Sequence, residues 1–553
     1  MCAKQKLSGR VAKMKKIREI KFEELTVEQK LGMSCAFLCA PWADPKDIDY
    51  VENLIRNHAA GAIWIPPNFE NGDKILKRLL DAADYPILSF TDAEAGLGEN
   101  IIGRHYTVAC RDSVDHAYTF GKVTAITARK MGYNVVCNPI LDMSGKDVNS
   151  VGGGTTRSLG NDKHRVTELA AAIAKGAHDG GVLTVAKHYP GKSDTSVNID
   201  SHMAETESRA SREELLDYNL YPYIELNKEG LIDGVMLGHS RFSEIDPDYP
   251  FSLSAKGIQV LRDEGFRGFA ITDALGMLGV VSKFGKFGSI ALAIGNAGAL
   301  ALPFFPENEA IMDSLKKAYG EGKIPDDVLD ASVKRTLEAQ HKVFEMQPKF
   351  DEITEEDKAM IRSLNYDTVI ARTDAGLSHT VSRDGRHCFV ILTETDIDIR
   401  DTSKVSEDTM KTNWYDPYKI KAKLTEFFPN SGVTSINLFP SPSQNRALLH
   451  EIMGFNTLEP YDDVVFITFY QPQTYIGREC LSSRVIALFE ALDVTKSVAA
   501  LVHYGNPFII EDLPHIPRIV IGQASPDGVM AGLEVLAGEY PANGKMINDV
   551  KFK

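Results

Sequence analysis

The sequence predicts an α/β protein in which a (β/α)8 TIM-type barrel precedes a smaller α/β sandwich. Eight short apolar segments alternate with amphipathic segments as far as Phe344, and this alternation is expected of a barrel with insertions. A second, shorter alternation begins after a polar stretch. The chain of 553 residues is also too long for one hydrophobic core. A doubly wound open sheet is the alternative, because periodicity does not show closure.

The barrel strands are predicted where short apolar runs are bounded by turn residues, and helical patterns lie between them. The predicted strands are Met33–Leu38, Ala62–Ile65, Ile87–Phe90, Asn134–Asn138, Leu183–Lys187, Gly234–Leu237, Phe269–Thr272 and Ala299–Leu302. The predicted helices include Ile48–Asn57, Lys74–Ala82, His116–Lys130, His164–Ala177, Glu213–Lys228, Ile258–Glu264 and Ser289–Ala297.

The remainder of the chain is predicted to form a second domain with a largely parallel sheet. We expect the barrel in residues 1–347, a charge-rich linker in residues 348–366 and the sandwich in residues 367–553. The predicted strands of the sandwich are His387–Thr393, Val433–Leu438, Val464–Tyr470, Ser497–Tyr504 and Arg518–Gly522. Its predicted helices include Pro417–Glu426, Gln444–Met453, Ser482–Leu492 and Gly528–Ala537.

Charge and cysteine content narrow the classes of partner and compartment. A formal net charge of -15 argues against nucleic acid or an anionic membrane as the main partner. The seven cysteines are scattered, and Cys35 and Cys39 lie in an apolar stretch. We therefore expect buried structural thiols and a reducing compartment. No apolar run follows the basic N-terminal residues and none has the length of a membrane span, so a cytoplasmic protein is expected.

Ionisable residues recur at the ends of the predicted strands. Because the carboxyl ends of barrel strands meet at one face, we expect these side chains to form one pocket. Any single one could equally be a solvated loop residue, but their recurrence at the same end of successive strands favours a site. They are Asp92 and Glu94 after strand three, Asp142 and Arg157 after strand four, Lys187, His188, Asp200 and His202 after strand five, His239 and Arg241 after strand six, and Asp273 after strand seven.

Two of these positions indicate particular chemistry. A carboxylate at the tip of a buried strand, as at Asp273, is held rigidly and suits a nucleophile. An aspartate that caps the next helix is an equally good interpretation. Asp200 and His202 are two residues apart, so in an extended loop their side chains point the same way and the carboxylate can orient the imidazole. His202 is then a candidate general acid/base, with a loop salt bridge as the alternative.

Two other patterns are weaker. A metal site of His188, Asp200 and His202 lacks a rigid helical ligand pair, so no metal is expected. The glycine-rich segment 152–154 lacks the ending of a phosphate loop, and we interpret it as a loop that supports Arg157. No cofactor is expected.

The motifs together resemble those of family 3 glycoside hydrolases, in particular the β-N-acetylglucosaminidase branch. Lys187-His188-Tyr189-Pro190-Gly191 with Asp200-Ser201-His202 is similar to the family's Lys-His-Phe-Pro-Gly and Asp-x-His signature. The resemblance runs from about Leu25 to Phe344, and the second domain resembles the α/β sandwich that some members carry. Further matches are Thr91 to Glu94, Asn138 to Asp142, Arg157 to Gly160, Met236 to His239, Ser252 to Ser254 and Ile271 to Met277.

This resemblance implies a retaining, exo-acting β-N-acetylhexosaminidase that forms a covalent glycosyl-Asp intermediate and acts on cell-wall or chitin fragments. It implies Asp273 as nucleophile, His202 as general acid/base and Asp200 as the partner of His202. Where many members have Gly-Gly-Arg, this chain has residues 95–97 as Ala-Gly-Leu, and Arg104 is the candidate replacement. The residues implied to bind the sugar are Asp92, Arg157, Lys187, His188 and Met236.

Three other functions stay open. A phosphorylase is one, because a neutral imidazole acid/base would not repel phosphate, and Lys192 would help to bind it. A β-glucosidase-like hydrolase is another. A non-catalytic sugar-binding protein is the third, although the presence of Asp273 and His202 argues against it. The expected partner is a small carbohydrate, with neither nucleic acid nor membrane, and a homodimer is an open alternative to a monomer.

Overall fold

The chain folds into two α/β units, each built around a largely parallel sheet. The description rests on a computed structural model and covers residues 17–66, 71–144, 154–191, 200–393, 415–455, 459–470, 480–495, 497–547 and 550–553. The strands of the first unit are β1 Ala36–Leu38, β2 Ala62–Trp64, β3 Leu88–Asp92, β4 Val135–Cys137, β5 Leu183–Tyr189, β6 Thr206–Ser208, β7 Gly234–Leu237, β8 Ser240–Phe242 and β9 Phe269–Thr272. Seven of them form one curled sheet in the order β1-β2-β3-β4-β5-β7-β9, and β6 pairs with β8 separately.

The curled sheet closes through a short backbone segment rather than a regular eighth strand. Leu300 N–H donates to Ala270 O of β9 at 2.8 Å. On the other side of this segment, Ala36 N–H of β1 donates to Ala301 O, also at 2.8 Å. The predicted eighth strand therefore lies between the last and first strands, as a barrel requires, and the open-sheet alternative is wrong.

Burial on both faces explains why the barrel strands are nearly continuous apolar runs. Every residue of the seven strands except Asp92 is buried, because side chains fill the interior and helices cover the outside. The helices of this unit are Val27–Met33, Pro45–Arg56, Gly72–Ala82, Arg104–Arg111, Val114–Met131, Gly154–Arg157, Lys163–Gly180, Arg212–Glu214, Tyr221–Lys228, Ala255–Asp263, Leu278–Phe284, Lys286–Gly295, Asn308–Gly320 and Asp326–Glu345.

The second unit is a sheet covered by helices on both faces. Its strands are β10 Ile370–Thr373, β11 His387–Thr393, β12 Gly432–Asn437, β13 Asp463–Tyr470, β14 Val498–Gly505 and β15 Arg518–Gly522, in the order β10-β15-β14-β13-β11-β12. Only the β10–β15 pair is antiparallel among these strands. Its helices are Pro417–Phe427, Pro442–Ile452, Ser483–Thr495 and Pro526–Leu536. Alternate residues of β11 enter two different apolar clusters, as the period of a strand dictates.

The segment predicted as a linker contains a helix. Glu355–Tyr366 begins with a capping box in which the Thr354 and Asp357 side chains bond reciprocally to backbone N–H groups. This helix packs against Val114–Met131 of the barrel and against Pro526–Leu536 of the second unit. It therefore joins the two units, which weak periodicity in the sequence did not indicate.

Three smaller points concern the sequence predictions. The predicted helix Glu213–Lys228 is interrupted by a π-helical turn at Leu215–Asn219. Cys35 and Cys39 are fully buried and burial raises the pKa of both thiols, which confirms the prediction of structural cysteines. Within the described residues no single helix is long and apolar enough to cross a membrane; only the bent pair Leu278–Phe284 and Lys286–Gly295, taken together, reaches that length and composition.

Candidate active site

Four charged side chains form an ion cluster at the carboxyl end of the barrel: Asp92, Glu94, Arg157 and Lys187. Lys187 Nζ lies 2.5 Å from Asp92 Oδ1 and 2.8 Å from Glu94 Oε1. Arg157 donates through Nε and Nη2 to the two oxygens of Glu94, at 2.7 and 2.5 Å. Glu94 therefore links the two cations. The Asp92 side chain is 50% exposed, so this carboxylate remains accessible to a ligand.

In the ion cluster, burial and neighbouring charges shift the pKa values of Glu94 and Lys187 in opposite directions. Burial alone would raise the pKa of Glu94, but Arg157, Lys187 and Arg104 hold it well below its ordinary value. Burial also opposes the charge of Lys187, whereas Asp92 and Glu94 keep its pKa above the ordinary value. Glu94 and Lys187 are therefore held in their charged forms, and the cluster presents fixed donors and acceptors, which suits the hydroxyl groups of a sugar.

His188, at the end of β5, is held between a carboxylate and a guanidinium. Its Nδ1 lies 2.7 Å from Asp142 Oδ2, and its backbone N–H donates to Asp142 Oδ1 at 3.2 Å. Its Nε2 lies 3.1 Å from Arg157 Nη2. Because a guanidinium only donates, we infer that Nε2 accepts and that the ring proton is on Nδ1. This neutral imidazole connects the ion cluster to the loop after β4.

Asp200 and His202 pair as predicted, but through a turn rather than an extended loop. Asp200 Oδ1 accepts from the backbone N–H of His202 at 3.0 Å and lies 2.8 Å from its Nδ1. The chain turns back at this point, since Met203 N–H donates to Asp200 O at 2.8 Å. The Asp200 carboxylate is fully buried and the His202 side chain is partly exposed. The carboxylate therefore orients a ring that a substrate can reach.

The turn that carries His202 lies directly on the segment that follows Asp273. Leu278 N–H donates to His202 O at 3.1 Å, and Gly279 N–H donates to Ser201 O at 3.0 Å. A Cβ atom at Gly279 would lie only 2.5 Å from Ser201 O, so glycine permits this close approach. Backbone contacts thus join the candidate acid/base to the candidate nucleophile.

Asp273 directly follows β9 at the carboxyl edge of the barrel. Its N–H donates to Leu237 O at 2.9 Å, and its Oδ1 accepts from Ala274 N–H at 2.8 Å. The next helix begins at Leu278 after Met277, and no side chain caps it. The helix-capping interpretation of Asp273 is therefore wrong, and the carboxylate is held instead by its own turn.

The buried thiol of Cys137 is influenced both by Asp273 and by the ion cluster. Cys137 ends β4 and pairs in register with Asp92 of β3. Burial raises the pKa of this thiol, and so do the charges of Asp92, Asp273 and Glu94, while Lys187 opposes them. The carboxylate of Asp273 thus lies within electrostatic range of the same atom as the ion cluster does.

Two residues have structural roles that the sequence reasoning did not assign. His239 Nε2 lies 2.9 Å from Ala274 O, and its Nδ1 lies 2.8 Å from Ser252 Oγ, so this buried ring holds the turn after Asp273. Glu94 joins the two cations of the ion cluster. In the sequence, Glu94 was distinguished only by its position two residues after Asp92. Such spacing does not predict which cations will form ion pairs with the carboxylate.

Other predicted positions lie beside the pocket rather than in it, or outside the described residues. Met236 is 2% exposed and packs in the barrel interior, so its sugar-binding role stays a prediction. Arg241 binds Glu205 at 2.7 Å and Glu207 at 2.9 Å, and so braces the loop after the His202 turn. Lys192 and most of the glycine-rich segment 152–154 lie outside the described residues.

The alternative metal triad is not assembled. His188 binds Asp142, whereas His202 binds Asp200. Across the described ranges, no group of three or more His, Cys, Asp or Glu side chains could hold a metal ion.

A closed α/β barrel with charged residues at the carboxyl ends of its strands has the arrangement typical of barrel enzymes. A family model described as the glycosyl hydrolase family 3 N-terminal domain matches residues 18–339, which is more than half of the chain. The protein therefore belongs to glycosyl hydrolase family 3.

Two curated relatives and two solved structures illustrate this similarity. A beta-hexosaminidase of Tolumonas auensis is 29% identical over 267 residues, which are 46% of this chain and 78% of the relative. Beta-hexosaminidase LpqI of Mycobacterium tuberculosis is 31% identical over 37% of this chain and 54% of the relative. A family 3 beta-N-acetylglucosaminidase of Paenibacillus sp. has a TM-score of 0.74 at 22% identity, covering 94% of this chain and 98% of that structure. The beta-glucoside phosphorylase BglX has a TM-score of 0.76 at 19% identity, covering 96% and 95%.

Proposed function

We propose that this protein is a retaining, exo-acting glycoside hydrolase that releases terminal β-linked N-acetylglucosamine. The observation that carries the proposal is the backbone contact between the turn of Asp200 and His202 and the segment after Asp273. It joins a carboxylate nucleophile to an oriented acid/base beside a pocket built for hydroxyl groups. The names of the relatives, beta-hexosaminidase and beta-N-acetylglucosaminidase, support the choice of sugar.

In the first step, a carboxylate oxygen of Asp273 forms a bond to the anomeric carbon. The bond between that carbon and the leaving oxygen breaks, and His202 gives its proton to the departing oxygen. In the second step, water attacks the anomeric carbon and gives a proton to the now neutral His202. The ester bond to Asp273 breaks, so the sugar leaves with its original configuration and both residues return to their starting states.

The ion cluster supplies the binding side of this reaction. Asp92 accepts and Lys187 donates hydrogen bonds at fixed positions, and the Arg157 guanidinium is held in place by Glu94. Charge-assisted bonds to neutral hydroxyl groups are short and directional. We therefore assign sugar binding to Asp92, Arg157, Lys187 and His188, and the orientation of these groups to Glu94 and Asp142.

Replacement of the nucleophile tests the proposal. We expect Asp273→Asn to lower kcat/KM on an aryl N-acetylglucosaminide by roughly 10⁴-fold or more, since the amide cannot form the ester. Binding of N-acetylglucosamine should persist, as measured by calorimetry. Asp263→Asn, at an exposed helix end, is the matched control and should retain full activity. Unchanged turnover in Asp273→Asn would refute the nucleophile assignment.

Replacement of the acid/base provides a second test. Activated aryl leaving groups need little protonation, so His202→Ala should reduce the turnover of alkyl or sugar leaving groups more than that of nitrophenyl ones. The comparison is made by kcat on a pair of substrates with the same sugar. Equal losses on both substrates would count against an acid role for His202.

Phosphorolysis is a second candidate, favoured by the imidazole acid/base. A neutral His202 would not repel phosphate, as a carboxylate in the same role would. A panel of aryl glycosides of N-acetylglucosamine, N-acetylgalactosamine, glucose and xylose, each with and without phosphate, separates the candidates. Formation of sugar 1-phosphate would replace the hydrolase proposal, and cleavage of the glucoside alone would replace the choice of sugar.

The compartment, the substrate source and the assembly state stay predictions from the sequence. We propose a cytoplasmic enzyme that acts on small carbohydrate fragments of the cell wall. Fractionation of cells and sedimentation of the purified protein would test the compartment and the monomer–dimer alternative.

A further inference from the structure

A buried histidine that the mechanism does not use lies behind the ion cluster. His105 belongs to the first turn of the helix Arg104–Arg111 and is fully buried. Burial lowers the pKa of its imidazole to about 4. The charge of Glu94 opposes this shift, whereas the charges of Lys187 and Arg157 add to it. His105 is therefore a neutral group that lies within electrostatic range of the charged groups proposed to bind the sugar.

The Nε2 atom of His105 bonds to Asn138, the residue that follows β4. Nε2 lies 2.6 Å from Asn138 Oδ1, and Asn138 Nδ2 donates to Ala93 O at 3.4 Å. Because the amide nitrogen donates to Ala93, its oxygen accepts, and we infer that the ring proton is on Nε2. The backbone N–H of Ile140 also faces Nε2, but at 3.4 Å this is the weaker contact.

The other ring nitrogen of His105 shows why the imidazole is neutral. Nδ1 is buried and has no hydrogen-bond partner within the part of the chain that the structure describes. A second ring proton on Nδ1 would therefore be a buried donor without an acceptor, which is unfavourable. The ring thus acts as a single donor, and that donor is directed at the amide of Asn138.

Asn138 connects two segments that carry the ion cluster. Ala93, which accepts from its amide, stands between the two carboxylates of the cluster in the chain. The residues after Asn138 run beside Lys187, whose N–H donates to Pro139 O at 3.1 Å. In turn, Leu141 N–H donates to Lys187 O at 2.7 Å. One end of this network therefore holds the carboxylates, and the other holds the lysine that pairs with both of them.

On the basis of the proposed glycosidase function, we propose that His105 and Asn138 are positioning residues for the sugar-binding groups. The hydrogen bond from His105 orients the Asn138 amide, and the amide fixes the spacing between the carboxylates of the ion cluster and Lys187. Such spacing matters because hydrogen bonds to hydroxyl groups depend on distance and direction. Asp273 and His202 lie on other segments, so loss of the network should weaken sugar binding more than it slows the chemical step.

Removal of the donor tests the proposal. His105→Phe keeps an aromatic ring of similar size but cannot bond to Asn138. We expect the KM for an aryl N-acetylglucosaminide, and the Kd of N-acetylglucosamine measured by calorimetry, to rise about tenfold, while kcat changes by less than about threefold. His105→Gln keeps an N–H donor close to the position of Nε2 and should restore most of the affinity. An unchanged KM in His105→Phe, or equal losses in both variants, overturns the proposal.

A double-variant cycle tests whether His105 acts through Asn138. Asn138→Ala should raise KM and Kd as much as His105→Phe does, and the double variant should show no further increase. Increases that multiply in the double variant would mean that the two residues act independently, and would overturn the proposal. If His105→Phe does not fold, Asn138→Ala decides by the same criterion, since an unchanged KM in that variant also overturns the proposal.

His503 provides the matched control in the second unit. This buried ring lies 2.7 Å from Thr468 Oγ1 and 2.8 Å from Asn506 O, and burial lowers its pKa to about 4 as well. His503→Phe should therefore lower the free energy of unfolding, as measured with urea, while KM and Kd keep their wild-type values. A rise in KM equal to that of His105→Phe would reduce the effect to stability and overturn the positioning role.

Calorimetry separates failure of this proposal from failure of the proposed function. A wild-type protein that binds N-acetylglucosamine but cleaves no glycoside refutes the function, and the Kd values of the variants still decide the positioning role. Cleavage of glucosides alone replaces the proposed sugar, and the same variants are then compared with glucose. A protein that neither binds nor cleaves these sugars overturns both proposals.

Discussion

Glu94 is the residue on which the stability of the pocket depends most directly. Its carboxylate accepts two hydrogen bonds from Arg157 and lies 2.8 Å from Lys187 Nζ. Glu94→Gln keeps the shape of the side chain but removes its charge and turns one acceptor into a donor that faces a cation. Of the two carboxylates that pair with Lys187, which is 2% exposed, the half-exposed one of Asp92 would then remain.

The expected loss of unfolding free energy at pH 7 is about 3 kcal/mol. Each charge-assisted bond contributes roughly 1.5–3 kcal/mol, and disruption of a buried ion pair costs about 3–5 kcal/mol. The pKa of Glu94 is lower in the folded protein than in the unfolded chain. The ionised carboxylate therefore adds fully to the free energy of unfolding at any pH above its pKa in the unfolded chain. This stabilisation is lost as the pH falls through its pKa in the folded protein. The difference between wild type and variant should therefore be constant near pH 7 and should shrink below the ordinary pKa of 4.5.

Urea unfolding followed by tryptophan fluorescence measures this difference. Trp64 is buried in the barrel interior and stacks on Phe90, so its emission reports on the barrel. We expect the midpoint of Glu94→Gln to fall by roughly 1 M at pH 7, for a slope of about 3 kcal/mol per M. Asp81→Asn, which disrupts an exposed pair with Lys77, is the control and should leave the midpoint unchanged. Equal midpoints for wild type and Glu94→Gln, or a gap that persists in acid, would refute the reasoning.

Three further predictions concern the catalytic turn. Gly279→Ala should lower kcat by about tenfold or more, because the new Cβ would lie only 2.5 Å from Ser201 O and would displace the His202 turn. Gly288→Ala is the control and should keep full activity in the same assay, because a Cβ atom at Gly288 has no neighbouring atom within 4 Å. His239→Ala should lower kcat more than it raises KM, since it frees the Ala274 carbonyl behind the nucleophile, and an increase in KM alone would contradict this role. Asp200→Asn should lower kcat on unactivated glycosides by roughly 10²-fold or more, because an amide does not stabilise the imidazolium, and wild-type rates on those substrates would argue against the pair.

Local patterns in the sequence were sufficient to predict the barrel and the positions of its polar residues. Apolar runs such as Gly181 to Ala186 indicate the burial of a strand on both faces, and this property depends only on the identity of neighbouring residues. The same patterns placed Asp273 and His202 at strand ends. They did not indicate the helix Glu355–Tyr366, because its periodicity is weak and its stability comes from packing against both units.

By itself, the sequence determined which residue types stand at the carboxyl ends of successive strands, and its motifs identified the family to which they belong. The tertiary structure decided which of these residues are partners. Asp200 orients His202 through a turn, Glu94 joins Arg157 to Lys187 across 63 and 93 positions, and Gln523 reaches a barrel residue 416 positions away. Hydrogen bonds and ion pairs depend on distances of about 3 Å between atoms. Only the closed barrel and its seam with the second unit bring such distant residues that close.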